Sequence, residues 1–179
     1  MKRNNLHIRK LILSALFLAL GIALPFLTGQ IPEIGSALCP MHIPVLLCGF
    51  ICGWPWALAV GFITPLLRSF LFQMPPMFPG AFSMAFELAT YGIVTGLMIK
   101  LLPKQTWSLY VSLFSAMLAG RIVWGLVRYI LSFVSNVPFG LSLFISGAIT
   151  TALPGILLQI LLIPSILLLL KKANILYND

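Results

Sequence analysis

Acidic side chains are nearly absent from this chain. Asp and Glu together number 3 among 179 residues, and all charged residues make up only 8%. A water-facing domain carries about 25% charged residues, so this chain cannot clothe a soluble surface. No G-x-x-x-x-G-K-[ST] loop occurs, which excludes nucleotide hydrolysis by that route. H-E-x-x-H, G-x-S-x-G and paired-carboxylate patterns are missing as well, so the corresponding hydrolytic chemistries have no residues to carry them. Cysteine is scarce, at 3 residues. An odd count argues against a disulfide framework. Cys48 and Cys52, four apart, share a helix face with no His or acid near them, a poor metal site. Apolar packing is the expectation for Cys39, Cys48 and Cys52. No cofactor and no enzymatic activity are expected.

Apolar residues are plentiful, at 60%, and the mean hydropathy is +1.09. Lipid is the solvent that fits such a chain, and a helix needs about 20 apolar residues to cross it. Six apolar runs predict an all-α integral membrane bundle of six transmembrane helices, at 11–27, 41–53, 57–72, 81–102, 107–134 and 141–170. The second run is short for a full crossing. At this length one bundle over 1–179 leaves no room for a separate soluble domain. The basic start and first apolar run resemble a signal peptide, but no small-x-small cleavage site follows in PFLTGQIPE, so the run reads as a retained span.

The formal charge of +8 is distributed as a topology signal. Lys2, Arg3, Arg9 and Lys10 precede the first span, Lys100 and Lys104 fill one short gap, and Lys171 and Lys172 follow the last span. Lys and Arg gather on the cytoplasmic side. Six spans place all of these residues there, with both termini, and leave Glu33 outside. No basic stripe with interleaved aromatics is present to track nucleic acid.

Small residues recur at helical spacing. Gly49/Gly53 and Gly92/Gly96 are G-x-x-x-G pairs, and Ala15, Ala19 and Ala23 form a ridge on the first span. Such surfaces let helix backbones approach closely in lipid.

Arg68, Arg121, Arg128 and Glu87 fall inside spans, where a charge costs about 2.5–3.5 kcal/mol and points to function. At 1.5 Å per residue, Arg68 lies ~6 Å, Arg128 ~9 Å and Glu87 ~10 Å from the outer helix ends, with Arg121 two turns deeper than Arg128. Arg121, Trp124 and Arg128 share one face, and Tyr91 shares a face with Glu87. One Arg pairs with Glu87, and positive charge is left over for an anionic partner. Arg suits carboxylate and phosphate, and Trp124 and Tyr91 offer apolar faces with polar tips. Two simpler readings stand beside this one: Arg68 and Arg128 snorkel to the headgroups, or a Glu87–Arg pair merely pins two helices. His42 starts the second span near the outer surface, where an interfacial place is simpler than a ligand contact. Gln159 in the last span is expected to bond a neighbouring helix.

These residues resemble a family, the substrate-binding S components of energy-coupling factor (ECF) vitamin transporters. The resemblance rests on the six spans, the basic N-terminus, Ala15-x-x-x-Ala19, the Gly/Pro-rich first outer loop and the run MHIPVLLCGFICGWPWALAVGFITPLLRS. It implies a plasma-membrane subunit of a bacterium that binds a vitamin from outside. That subunit docks on a membrane coupling subunit carrying two ATPase subunits, topples in the bilayer and releases its cargo inward. Ala15 and Ala19 would meet the coupling subunit, and the pocket would lie under the first and third outer loops. Three arginines against one glutamate disfavour a cationic cargo. A small anion such as pantothenate is expected, with a pyridoxine-like or flavin cargo as the alternative. A stand-alone secondary transporter using Glu87 as proton carrier also stays open, although no internal repeat supports it, as does a ligand-free membrane assembly protein.

Overall fold

The computed structural model describes residues 2–28, 31–103, 105–135 and 139–172, with side chains except those at 2–5, 32, 36, 135 and 149. Among these residues there are helices and turns and no strand. The order is α1 (Lys2–Ala23), a 3-10 turn (Leu24–Thr28), α2 (Pro32–Leu38), α3 (His42–Cys52), α4 (Trp54–Phe72), a kinked turn (Met77–Ala81), α5 (Phe82–Leu101), α6 (Thr106–Ser135), α7 (Leu141–Ile145), a widened turn (Ser146–Thr150) and α8 (Leu153–Lys172). Backbone that lies in hydrocarbon must satisfy its own hydrogen bonds, and helices do so within one segment.

Five of these segments, not six, are long and apolar enough to cross a membrane: Leu6–Thr28, Trp54–Phe72, Met77–Leu101, Thr106–Val134 and Leu141–Lys172. This corrects the expected second span at 41–53. Only His42–Cys52 is helical there, 11 residues, or about 16 Å against a hydrocarbon thickness of about 30 Å. Its ends are fixed by backbone chemistry. Cys39 takes a left-handed conformation at φ 47° and closes α2. Gly53 stands at φ 91° between α3 and α4, a conformation that favours glycine. Pro55 then sits in the first turn of α4, where a missing N–H does no harm. The short helix is sheltered by protein rather than lipid. Nine of its residues, from His42 to Gly49 and Cys52, are buried, packed among α1, α4 and α5.

Contacts between elements give the helices their relative direction. The Ser14 hydroxyl is 3.8 Å from Cys48 Sγ. Gly96 abuts Trp54, and Gly155 abuts Ala37 and Leu38. Arg9, Lys10, Lys100, Lys171 and Lys172 therefore gather at one end of the bundle. The turns before α2 and α5 lie at the other. Lys104 and the side chains of Lys2 and Arg3, read above as topology signals, lie outside the described residues.

α4 and α5 are the most intimately packed pair, and glycine is the reason. A Cβ on Gly92 would stand 2.6 Å from the carbonyl of Ala57, and one on Gly61 would stand 2.5 Å from the carbonyl of Leu88. The Gly92/Gly96 pair is thus the groove that receives α4, as its spacing suggested. Gly49 on α3 sits 3.2 Å, by the same measure, from the Gly92 carbonyl, so three helices meet at one small-residue crossing. In lipid such close approach supplies the attraction that the hydrophobic effect cannot. Gly92→Leu is expected to lower stability by about 1–3 kcal/mol through overpacking. Gly140→Ala, whose Cβ would meet nothing within 4 Å, is expected to leave it unchanged. Thermal unfolding of the two variants in detergent checks this.

Candidate binding site

The end of the bundle remote from the basic residues holds a cavity of about 460 Å³. Its walls come from several elements. The 3-10 turn contributes Pro25 and Thr28, the α2 region contributes Gly35 and Cys39, and α3 contributes His42. Arg68 on α4, the Gln73–Pro76 connection, Met84 and Glu87 on α5, Arg121 and Trp124 on α6, and Gly147 and Thr151 complete it. Pockets of this size, mostly apolar with a few converging polar groups, suit small molecules. Two peptide bonds in the adjoining turns, Met74–Pro75 and Phe78–Pro79, are cis.

Glu87 is the polar centre. Only 1% of it is exposed. Its Oε1 lies 3.0 Å from Arg121 Nη1 and accepts a hydrogen bond from the Tyr91 hydroxyl at 3.2 Å. His42 Nε2 is 3.4 Å from the same oxygen, although neither ring nitrogen of His42 makes an aligned hydrogen bond. The helical spacing of Glu87 and Tyr91 places both on the face of α5 that meets α6 and α3. Arg121 also donates to Cys39 Sγ at 3.6 Å. Burial pushes the Cys39 thiol up, partly offset by that guanidinium.

Arg68 is different in kind. It is 3% exposed and donates from Nη1 to the carbonyl of Ile22 at 2.6 Å, in the last turn of α1. A cation suits the negative end of that helix. The guanidinium lies 5.0 Å from the ring centre of Phe26 and 5.6 Å from that of Phe72. No carboxylate pairs with it among the described residues. The cavity wall therefore carries two guanidiniums against one carboxylate, and the surplus positive charge is on Arg68.

Five of the seven side chains expected at the site line this cavity: His42, Arg68, Glu87, Arg121 and Trp124. His42, for which an interfacial place was the simpler expectation, is 2% exposed and sits on the cavity wall. Tyr91 is 1% exposed and meets the site through the ring of His42 and through Glu87, to which it donates. Its ring is packed against α6 at Gly120 and is not offered for stacking. Arg128 does not reach the cavity; it lies 6.0 Å from the ring centre of Phe139. The sequence reading paired one Arg with Glu87 without saying which. The structure gives Arg121 to Glu87 and leaves Arg68. Trp124 stacks on Phe144 at 6.2 Å and meets the edge of Phe139 at 5.6 Å. Gly147 makes room for it, since a Cβ there would come 2.8 Å from the indole.

Some residues on or beside the wall escaped the sequence reading. Cys39 read as apolar packing. Phe26 and Phe72 carried no signal beyond hydrophobicity, yet both pack against the guanidinium of Arg68. The prolines of QMPPMFPG marked a break in the chain but not a pocket wall. The segment between α1 and α3 lines the cavity; of the segment between α6 and α7, residues 136–138 lie outside the described residues. Gln159 is buried in α8. Ala15 and Ala19 are exposed on α1, beside Ile12 at 63% and Leu16 at 52% exposure.

A family model described as "ECF transporter, substrate-specific component" matches residues 9–167. No curated protein and no solved structure matches the chain significantly.

Breaking a buried ion pair strands a charge, at about 3–5 kcal/mol, whereas replacing both members with apolar groups is often neutral. Glu87→Gln is therefore expected to lower the unfolding temperature in detergent more than the double change Glu87→Leu with Arg121→Leu. The reverse order would mean that Arg121 does not depend on Glu87 for its charge balance.

Proposed function

The chain belongs to the family of ECF transporter substrate-specific components, and we propose that its cavity takes a small anionic, vitamin-like cargo whose charge is met by Arg68. The family makes the chain a multi-pass membrane protein and the substrate-binding subunit of a transporter. The cargo class rests on one observation: Arg68 is a buried guanidinium on the cavity wall with no carboxylate partner among the described residues. An unpaired buried charge is unfavourable. A carboxylate or phosphate brought by the cargo relieves it, and a planar guanidinium binds such groups through two parallel hydrogen bonds. A cationic cargo would add to the surplus. Pantothenate is the leading candidate. The pyridoxine-like or flavin alternative is weakened, because Tyr91 is enclosed by protein and Trp124 already stacks on Phe144.

The gathering of basic residues at the end opposite the cavity supports an orientation with that end, and both termini, in the cytoplasm of a bacterium. The cavity then opens to the outside of the plasma membrane, where cargo is collected. ATP hydrolysis falls to two partner subunits and docking to a membrane coupling subunit. The exposed alanines Ala15 and Ala19 are the surface on which a partner helix can approach closely. A stand-alone, proton-coupled transporter fits less well. Glu87, the carboxylate it would need, is tied to Arg121 at 3.0 Å.

A double dissociation tests the assignment. Arg68→Met is expected to weaken binding of radiolabelled pantothenate by about 30-fold to several thousand-fold, the range for truncating one partner of a buried charged pair. It should leave docking to the coupling subunit intact. Ala15→Trp is expected to do the opposite, abolishing docking and uptake while binding persists. Undiminished binding in Arg68→Met, with the fold intact, would refute the anionic cargo. Uptake by the chain alone in liposomes without ATPase subunits would refute the subunit role.

A further inference from the structure

His42 opens α3 on the cavity wall and is 2% exposed. Its two ring nitrogens are buried, and neither makes a hydrogen bond among the described residues. Nε2 lies 3.4 Å from Glu87 Oε1, off the alignment of a hydrogen bond. That oxygen already has two better donors, Tyr91 at 3.2 Å and Arg121 at 3.0 Å. Nδ1 has nothing. The ring packs against Tyr91 with centroids 5.2 Å apart, which explains an aromatic ring at this position but not a polar one. A phenylalanine would pack there without stranding nitrogen atoms, and a buried polar group left unbonded costs about 1–3 kcal/mol.

The neighbours decide which nitrogen is free. The carboxylate oxygen of Glu87 favours a proton on the nearer nitrogen, Nε2. The charge of Glu87 is already balanced by Arg121, so the cluster does not call for a second cation. An imidazole with its single proton on Nε2 presents Nδ1 as a lone-pair acceptor.

We infer that His42 is a specificity-determining residue of the cavity: its Nδ1 accepts a hydrogen bond from an O–H or N–H group of the cargo. This rests on the reading of Arg68 as the anchor for the cargo's charge, and it narrows the cargo class. The cargo is a small anion that also bears a neutral hydrogen-bond donor, hydroxyl or amide, set apart from its charged group. An anion without that donor satisfies Arg68 and leaves His42 stranded. Sites built to bond a donor reject analogues that lack it far more strongly than apolar pockets reject a missing methylene.

Two substitutions separate the nitrogens. His42→Asn sets a side-chain carbonyl near the place of Nδ1. His42→Gln sets its amide near the place of Nε2 and leaves the Nδ1 position without an acceptor. The probes are radiolabelled pantothenate and biotin, which carry a carboxylate and separate O–H or N–H donors, and octanoate, which carries the carboxylate alone. Equilibrium dialysis of the full chain in detergent is expected to show at least one donor-bearing probe held by the wild type at least about tenfold more tightly than octanoate. His42→Gln should weaken that probe by about tenfold to a hundredfold, while His42→Asn stays within about threefold of wild type. Octanoate should bind both variants as it binds wild type. Equal binding of the donor-bearing probe in wild type and His42→Gln, with binding lost in Arg68→Met, overturns the role of His42 and leaves the charge anchor standing. Undiminished binding in Arg68→Met, or no binding of either donor-bearing probe by wild type, overturns the reading beneath it. Should His42→Gln fail to fold, the wild type alone decides: octanoate held as tightly as the donor-bearing probes overturns the inference.

Discussion

The ion pair between Glu87 and Arg121, 3.0 Å long and buried between α5 and α6, governs the electrostatics of the whole cavity. It consumes the one carboxylate found on the cavity wall among the described residues. Every other consequence follows from that subtraction. Tyr91 and His42 cluster on the same oxygen, so α3, α5 and α6 are joined at one polar point. Arg68 is left with a helix-end carbonyl and two phenyl rings, which orient a guanidinium without neutralising it. Charge of one sign is thus fixed at one side of the cavity by what happens on the other.

That arrangement needs a rigid frame, and the frame is built from small residues. Gly61 and Gly92 bring the backbones of α4 and α5 into direct contact, and these two helices carry Arg68 and Glu87. Their relative position is set by backbone against backbone, with no flexible side chain between them. The short α3 depends on the same crossing through Gly49. Because α3 is enclosed by protein, its polar first residue can face the cavity, which a full-length lipid-facing span would not allow. The family to which the chain belongs gives these features a purpose: a binding subunit presents a fixed pocket at one end and, in the proposed docking, a smooth alanine face along α1.

Much of this was legible in the sequence, and the misses have physical causes. Hydropathy found every long helix, because spanning lengths are set by the bilayer. It overcounted by one at 41–53, because it measures apolarity and not length under backbone constraint; α3 opens at His42, after Cys39 has closed α2, and the positive φ of Gly53 ends it after 11 residues. The G-x-x-x-G pair at Gly92 was readable because close packing imposes a spacing. The in-span charges Arg68, Glu87 and Arg121 pointed to the end of the bundle that holds the cavity, since unpaired charge in lipid is rare. Which arginine pairs with Glu87 was not readable. The estimated depths put Arg128 nearest Glu87 and Arg121 two turns deeper than Arg128, yet the packing of α6 on α5 selects Arg121. The rings of Phe26 and Phe72 come from separate elements, so no local pattern joins them to Arg68.

The most direct test of the account is the identity of the small molecule that accompanies the protein through purification, read by mass spectrometry of the intact complex and of its released ligand. The surplus charge on Arg68 predicts a small compound that is anionic at neutral pH. Recovery of a cationic compound, bound in equal molar amount and lost on denaturation, would contradict the account at its base.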